Sequence, residues 1–229
     1  MNKVKQKLPD YVDASVVAEY RRLLKKNHRR YWIMKRTFDI VVSFCILVIL
    51  LPFFIIISLV IFIDDPHASP IYSQTRIGRH GKEFKLYKFR TMVSNADEIL
   101  HNILENNEQD GLAFKIKDDP RITRVGRFLR KTSIDELPQF YNVLKGDMSI
   151  VGPRPALPGE VGRYTEHQKV RLMVTPGLTC YWQVTPNRND ILFSDWMDTD
   201  VDYIAERSFP NDLKLIFKTI GVMFRGEGR

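Results

Sequence analysis

The chain has 229 residues, a formal net charge of +8, 44% hydrophobic residues and two cysteines. That length allows one compact domain and little more, and the positive charge calls for an anionic partner: nucleic acid, an anionic lipid surface or a phosphorylated substrate. Cys45 lies in an apolar run and Cys180 follows Gly177-Leu178-Thr179. They form no metal spacing and are poorly placed for a disulfide, so the globular part is expected in a reducing compartment.

Residues 1–33 begin polar and then read as a basic amphipathic helix from about Asp13, with Val16, Val17, Tyr20, Leu23 and Leu24 apolar. The segment ends in Lys25-Lys26-Asn27-His28-Arg29-Arg30-Tyr31-Trp32, the cationic and aromatic chemistry that a membrane interface attracts. A solvated charged helix is the plain alternative. Within residues 34–64, Ile40 to Ile63 is apolar except for Ser43, Pro52 and Ser58. At about 1.5 Å per residue it is long enough for a hydrocarbon core of about 30 Å. It does not read as a signal peptide, being too long, too far from the N-terminus and followed by Asp64-Asp65-Pro66.

A straight span would put the two flanks on opposite sides, yet both are cationic: Arg21 to Arg36 before the run, and Arg76, Arg79, Lys82, Lys85, Lys88 and Arg90 after it. Pro52 resolves the conflict. It removes a backbone donor and clashes one turn back, at about 3 kcal/mol in a straight helix. The expected form is a re-entrant helix broken there, whose arms are each too short to span.

Residues 65–229 form the globular part. Pro70 to Gln74 and Phe84 to Phe89 read as strands about a basic turn at Arg76 to Lys82, whose glycine spacing is that of neither a P-loop nor a dinucleotide site. Lys88 and Arg90 flank Phe89 and so share a strand face. Helices are expected at Ser94–Asn106, with Ser94 as cap, at Arg121–Lys131, with Arg124, Arg127 and Arg130 on one face, and at Tyr164–Met173. A polar loop is expected at 106–111. Tyr181 to Val184 reads as a strand, Ser194–Ala205 as a helix carrying Asp195, Asp198, Asp200 and Asp202, and Asn211–Phe224 as a helix apolar enough to lie at an interface.

The chemistry is concentrated in Arg130 to Pro155. Ser133-Ile134-Asp135-Glu136 has the form of a capping box, with Ser133 as N-cap of a helix through Leu144. Asp135 in a first turn is favoured as an anion and can serve as nucleophile or metal ligand. Were Glu136 to close the cap, its carboxylate would be unavailable to a metal. Gly152-Pro153-Arg154-Pro155 fixes the backbone on both sides of an arginine suited to bidentate phosphate recognition. His28, His67, His80, His101 and His167 show no metal-ligand spacing and belong to no recognisable Ser/His/Asp set.

Several segments together resemble the bacterial polyprenyl-phosphate sugar-phosphate transferases, small monotopic enzymes that initiate surface glycan assembly. They are Tyr87 to Met92, Asp119 to Arg127, Ser133 to Gln139, Lys145 to Pro155, Thr175 to Thr179, Trp182 to Val184 and Asp212-Leu213-Lys214, in order over about residues 34–220. The resemblance implies an α-rich α/β fold: a re-entrant helix, a compact cytosolic catalytic domain and amphipathic interfacial helices, at the cytoplasmic face of a bacterial inner membrane. It implies a UDP-sugar donor, undecaprenyl phosphate as acceptor, Mg²⁺ as cofactor and UMP as product. Asp135 would be the nucleophile that forms a covalent phosphosugar intermediate, Glu136 the Mg²⁺ ligand, and Arg130 and Arg154 phosphate clamps, with Lys88, Arg90 and Asp200 as further substrate contacts. Anionic lipids would be surface partners, nucleic acid would not, and the choice between monomer and homodimer stays open.

The sequence departs from the family pattern at Leu51, where serine usually precedes the proline, at Thr175 for lysine, at Cys180 for glycine, and at Thr185-Pro186-Asn187-Arg188 for Ser-Gly-Arg. Which sugar is carried is therefore least legible there. Two other classes are compatible with the charge: a catalytically silent membrane-surface adaptor, and a membrane-linked nucleic-acid binder with steep salt dependence. Neither accounts for Asp135-Glu136 lying between two rigidly placed arginines.

Overall fold

The computed structural model describes residues 12–23, 29–103, 119–185, 191 and 193–224. The basic run at 25–28, the loop at 106–111 and Arg188 lie outside the described residues.

Helix α1 (Ala14–Leu23) starts where Asp13 Oδ1 accepts from the backbone of Ser15 at 2.9 Å and Val16 at 3.1 Å. Its apolar stripe packs on the domain. Val12 and Val16 are buried in the main core, and the helix packs on a 3₁₀ turn at Val170–Met173. Tyr31 and Trp32, expected at an interface, are likewise drawn into the domain. Tyr31 donates to Asp212 at 2.9 Å, and the Trp32 ring lies under Arg207 at 4.7 Å and Arg79 at 5.5 Å.

Helices α2 (Arg29–Ile49) and α3 (Leu51–Asp64) are bent by 61° at their junction. Pro52 stands in the first turn of α3, where its missing N–H would have no intrahelical partner anyway. Among the described residues no single helix is long and apolar enough to cross a membrane; the bent pair passes that test only together.

Helix α2 is inside out by the standards of a soluble protein. Tyr31, Lys35, Asp39 and Ser43, four apart, are buried, while Val41, Phe44, Val48 and Ile49 are exposed. The polar stripe is locked to the domain. Lys35 Nζ lies 2.8 Å from Asp212, Arg36 donates to the carbonyls of Val143 and Leu144 at 2.7 and 2.9 Å, and Asp39 accepts from Ser149 Oγ at 2.7 Å and Ile150 N at 3.1 Å.

Strands β1 (Ile71–Ile77) and β2 (Glu83–Phe89) form the expected antiparallel hairpin, with Ile71 opposite Phe89. Helix α4 (Ala96–Ile103) follows. It begins two residues later than expected: Ser94 is tied to Asp65 Oδ2 through its backbone N–H at 2.9 Å. Helix α5 (Arg124–Lys131) also starts late, because Thr123 Oγ1 accepts from Gly126 N at 2.9 Å. Gly126 lets α5 touch the Thr91 backbone, whose carbonyl oxygen a Cβ at that position would approach to 2.0 Å.

Helix α6 (Gln139–Lys145) ends at Gly146, φ +97°. Strands β3 (Ser149–Val151) and β4 (Gly177–Thr179) are parallel. Short helices α7 (Pro158–Val161) and α8 (Glu166–Lys169), then α9 (Phe193–Glu206) and α10 (Phe209–Phe224), complete the α-rich α/β fold. The helix expected at 164–173 restarts at a Thr165/Gln168 capping box and tightens to 3₁₀. The strand expected at 181–184 is a 3₁₀ turn, held where Trp182 stacks on Trp196 at 4.6 Å and Gln183 accepts from Cys180 N at 3.1 Å. Helix α10 buries Leu215 and exposes Phe217 and Ile220.

Candidate active site

Three elements meet at the acidic pair: the end of β2, helix α5, and the turn that follows α5. The turn is not a capping box. Ser133 adopts a left-handed conformation, φ +56°, makes no side-chain cap bond, and leads into one 3₁₀ turn, Ile134–Glu136. A continuous helix would need Pro138 to donate an N–H to the Ile134 carbonyl; Leu137 N bonds that oxygen instead, at 3.1 Å. Helix α6 therefore begins afresh beyond Pro138. A non-glycine residue held at positive φ stores strain of order 1–3 kcal/mol, which surrounding structure must over-determine.

This turn buries Asp135, 7% exposed, and aims Glu136 at Lys88. Lys88 Nζ lies 2.8 Å from Glu136 Oε1 and 3.9 Å from Asp135 Oδ2. Glu136 thus answers the lysine rather than a helix cap. Arg130 Nε donates to Thr91 Oγ1 at 2.9 Å, which fixes the guanidinium beside the pair. Burial lowers the Arg130 pKa, and the charges of Asp135 and Asp119 pull it back. Asp119 in turn is held by Arg121 in a fork of contacts at 2.7 to 3.2 Å.

Arg154 comes from the strap after β3. Gly177 packs so closely there that a Cβ would lie 2.0 Å from Gly152 N, and Gly177 N donates to Pro153 O at 2.8 Å. The Arg154 guanidinium sits 5.1 Å over the Trp196 ring and 3.9 Å from Glu160. Arg76 links the two halves of the site electrostatically. Burial first, then Arg154, lowers its pKa to about 10, while Glu160, Tyr72 and Glu136 oppose the shift.

Lys88, Arg130, Asp135 and Glu136 thus come together, while Arg154 stands on the strap after β3 with Trp196, Glu160 and Arg171 as its neighbours. Arg90 and Asp200 are placed elsewhere. Arg90 is buried against the end of α3, donating to the Asp65 carbonyl and lying 3.7 Å from its carboxylate. Lys88 and Arg90 do not share a partner: Lys88 pairs with Glu136 and Arg90 with Asp65, while Phe89 between them enters a cluster with Ile57, Ile61 and Leu129. Asp200 is fully buried behind the strap, 2.6 Å from Arg171 Nη2. Burial pushes its carboxyl up to about 6, with Arg171 and Arg154 opposing.

Three contributors escaped the sequence reading. Asn142, fully buried, donates to Lys85 O at 2.7 Å and accepts from Tyr87 N at 3.1 Å, holding the edge of β2 next to Lys88. Arg76 and Arg171 grip the strap from within. Arg171 carried a signal, a lone charge inside Val170-Arg171-Leu172-Met173-Val174.

Among the described residues no group of three or more His, Cys, Asp or Glu converges on a point. Asp135 and Glu136 are hard oxygen donors of the kind Mg²⁺ takes beside phosphates and water, and a metal there would share them with the Lys88 ammonium, 2.8 Å from Glu136 Oε1.

Fold and site together define a class: an α-rich α/β protein that holds an acidic pair among arginines at the foot of a bent apolar helix pair. The model of the bacterial sugar transferase family matches residues 30–226, and the chain belongs to that family. It is 46% identical over 212 residues to the undecaprenyl-phosphate galactose phosphotransferase of Salmonella typhimurium, covering 90% of this chain and 43% of that protein. It is 40% identical to the exopolysaccharide production protein ExoY of Sinorhizobium fredii, covering 86% of this chain and 88% of that one. The UDP-glucose:undecaprenyl-phosphate glucose-1-phosphate transferase of Escherichia coli is 38% identical, over 82% of this chain and 39% of that protein. The chain therefore spans less than half the length of the Salmonella and E. coli relatives.

Proposed function

We propose that this chain transfers a sugar-1-phosphate from a UDP-sugar to undecaprenyl phosphate, releases UMP, and so initiates surface glycan assembly at the cytoplasmic face of a bacterial inner membrane. The observation that carries the reading is the strained turn that buries Asp135 and pairs Glu136 with Lys88 beside α3. The names of the relatives supply the lipid acceptor and the sugar class.

In the proposed reaction an Asp135 carboxylate oxygen attacks the phosphorus that bears the sugar. The bond to UMP breaks, UMP leaves with the electron pair, and an aspartyl phosphosugar remains. A phosphate oxygen of undecaprenyl phosphate then attacks the same phosphorus and restores Asp135. Arg130 and Arg154 bind the phosphate oxygens, and Lys88 balances charge on the acidic pair. Glu136 would hold Mg²⁺, which when bound neutralises the diphosphate as UMP departs. Arg90 acts at one remove by fixing the end of α3 to the domain. The exposed apolar faces of α2 and α3 would enter one leaflet, and the cationic flanks would meet anionic headgroups.

Intact-protein mass spectrometry after incubation with UDP-galactose and Mg²⁺, with undecaprenyl phosphate withheld, should show the added mass of one galactose phosphate. Asp135→Asn should show none, and an equal adduct on that variant would remove Asp135 from the role. For topology, cysteines placed at Arg22 and Lys82 in a Cys45→Ser background should label from the same side of sealed vesicles. Labelling from opposite sides would establish a span.

A further inference from the structure

The strap carrying Arg154 is held by more than its prolines. Those rings fix φ at 153 and 155 but leave the peptide between them free to shift as a unit. Two buried guanidiniums close that freedom. Arg171 Nη2 donates to the Arg154 carbonyl at 2.8 Å, and Arg76 Nη1 donates to the next carbonyl, Pro155 O, at 3.1 Å. Arg171 is 4% exposed and Arg76 8% exposed, so neither is a surface cation that happens to reach inward.

Each is itself oriented. Arg171 donates to Tyr164 OH at 2.8 Å and faces Asp200 at 2.6 Å, while Arg76 donates to Gln74 Oε1 at 2.7 Å. Helix α9 supplies both Asp200, which neutralises Arg171, and Trp196, on which the Arg154 guanidinium rests at 5.1 Å. Backbone and side chain of Arg154 are thereby set by one connected group of side chains. Buried ion pairs are a poor source of stability compared with apolar packing. A positional role accounts for their presence here.

We infer that Arg171 and Arg76 are positioning residues for Arg154, gripping successive strap carbonyls so that its guanidinium meets a phosphate at a fixed place. The inference rests on the proposed reading of Arg154 as a phosphate clamp. A displacement of about 1 Å in such a group is enough to lower efficiency up to about 100-fold, so the grip has leverage.

The test is UDP binding by calorimetry to the detergent-solubilised full chain, in a double-mutant cycle. Arg154→Ala should weaken UDP about tenfold, as loss of a charge-assisted contact does. Arg171→Gln should weaken it comparably, and the Arg154→Ala/Arg171→Gln double variant should bind no more weakly than Arg154→Ala alone. Arg171→Lys should recover little, since one ammonium cannot reach the carbonyl, the hydroxyl and the carboxylate together. Tyr164→Phe and Arg76→Gln should weaken UDP more mildly, and carry the cycle if Arg171→Gln does not fold. Additive losses, or Arg171, Tyr164 and Arg76 variants that bind UDP normally while Arg154→Ala does not, would overturn the inference. Normal UDP binding by Arg154→Ala would instead sink the clamp reading beneath it.

Discussion

The bent helix pair and the globular domain solve opposite burial problems with one chain. The domain buries Val143, Met148, Val151, Val161, Val170 and Ile204, and the charges it buries, such as Arg171 with Asp200 and Asp119 with Arg121, are paired. Helix α2 buries Lys35, Asp39 and Ser43 and turns Phe44, Val48 and Ile49 outward. Water makes the first arrangement favourable and opposes the second, whereas lipid tails are indifferent to exposed leucine-like surface. The shared boundary combines a polar lock with apolar packing: Asp212 gathers Lys35, Tyr31 and Tyr203 within 2.8 to 2.9 Å. Beside it Phe38, Val42, Ile46 and Leu47 of α2 pack on the main core, and Ile57 and Ile61 of α3 pack with Phe89 and Leu129.

Breaking the polar boundary should cost most. Lys35→Met leaves Asp212 buried without its cation, and such broken pairs lose about 3–5 kcal/mol; the thermal midpoint in detergent should drop accordingly. Phe89→Ala removes the apolar contact near the site and should cost about 3–5 kcal/mol or somewhat less, by the cavity it leaves at that smaller patch. A near-normal midpoint for both would mean that these contacts do not anchor the helix pair to the domain.

The pH dependence sharpens the comparison from the domain side. The Asp200 carboxyl sits at about 6 in the fold, above its usual value, so the folded state takes up that proton first. Its contribution to stability therefore grows as pH falls through 6 and is lost as pH rises again. Arg171 meanwhile loses its counter-charge, and Tyr164, Glu160 and Cys180 remain around it. UDP affinity should fall between pH 7 and about 5.5 without a matching loss of thermal stability from this group, and Asp200→Asn should show only the smaller fall that protonation of UDP's own terminal phosphate, at about pH 6, produces. The smallest effect is expected on the exposed face: Ile55→Ser should change the midpoint in detergent by about 0.5 kcal/mol or less. The same change should shift the protein measurably off vesicles in a flotation assay. Unchanged flotation would argue that this face meets no lipid.

What the sequence made legible follows the strength of the local physics. Pro52 in a long apolar run announced the break, and the strand-like run Phe84 to Phe89 after a glycine-bearing turn announced β2. The capping box failed because Ser-x-x-Glu is ambiguous by itself, and Pro138, five residues on, forbids the helix it suggests. Tyr181 to Val184 looked like a strand by composition, but the Trp182–Trp196 stack decides its shape from a distant helix. Arg130, Asp135 and Glu136 could be singled out as candidates because they stand within seven positions of one another, and Lys88 because it lies in a motif of its own. Arg76, Asn142 and Arg171 act through backbone carbonyls far away in the chain, and no local pattern encodes such partners.

The most direct measurement is UMP release by the detergent-solubilised chain with Mg²⁺ and undecaprenyl phosphate across a panel of UDP-sugars, with Asp135→Asn alongside. The account predicts release with one or two sugars, abolished in the variant while its fold is retained. Equal release by Asp135→Asn, or silence across the panel from folded protein, would contradict it.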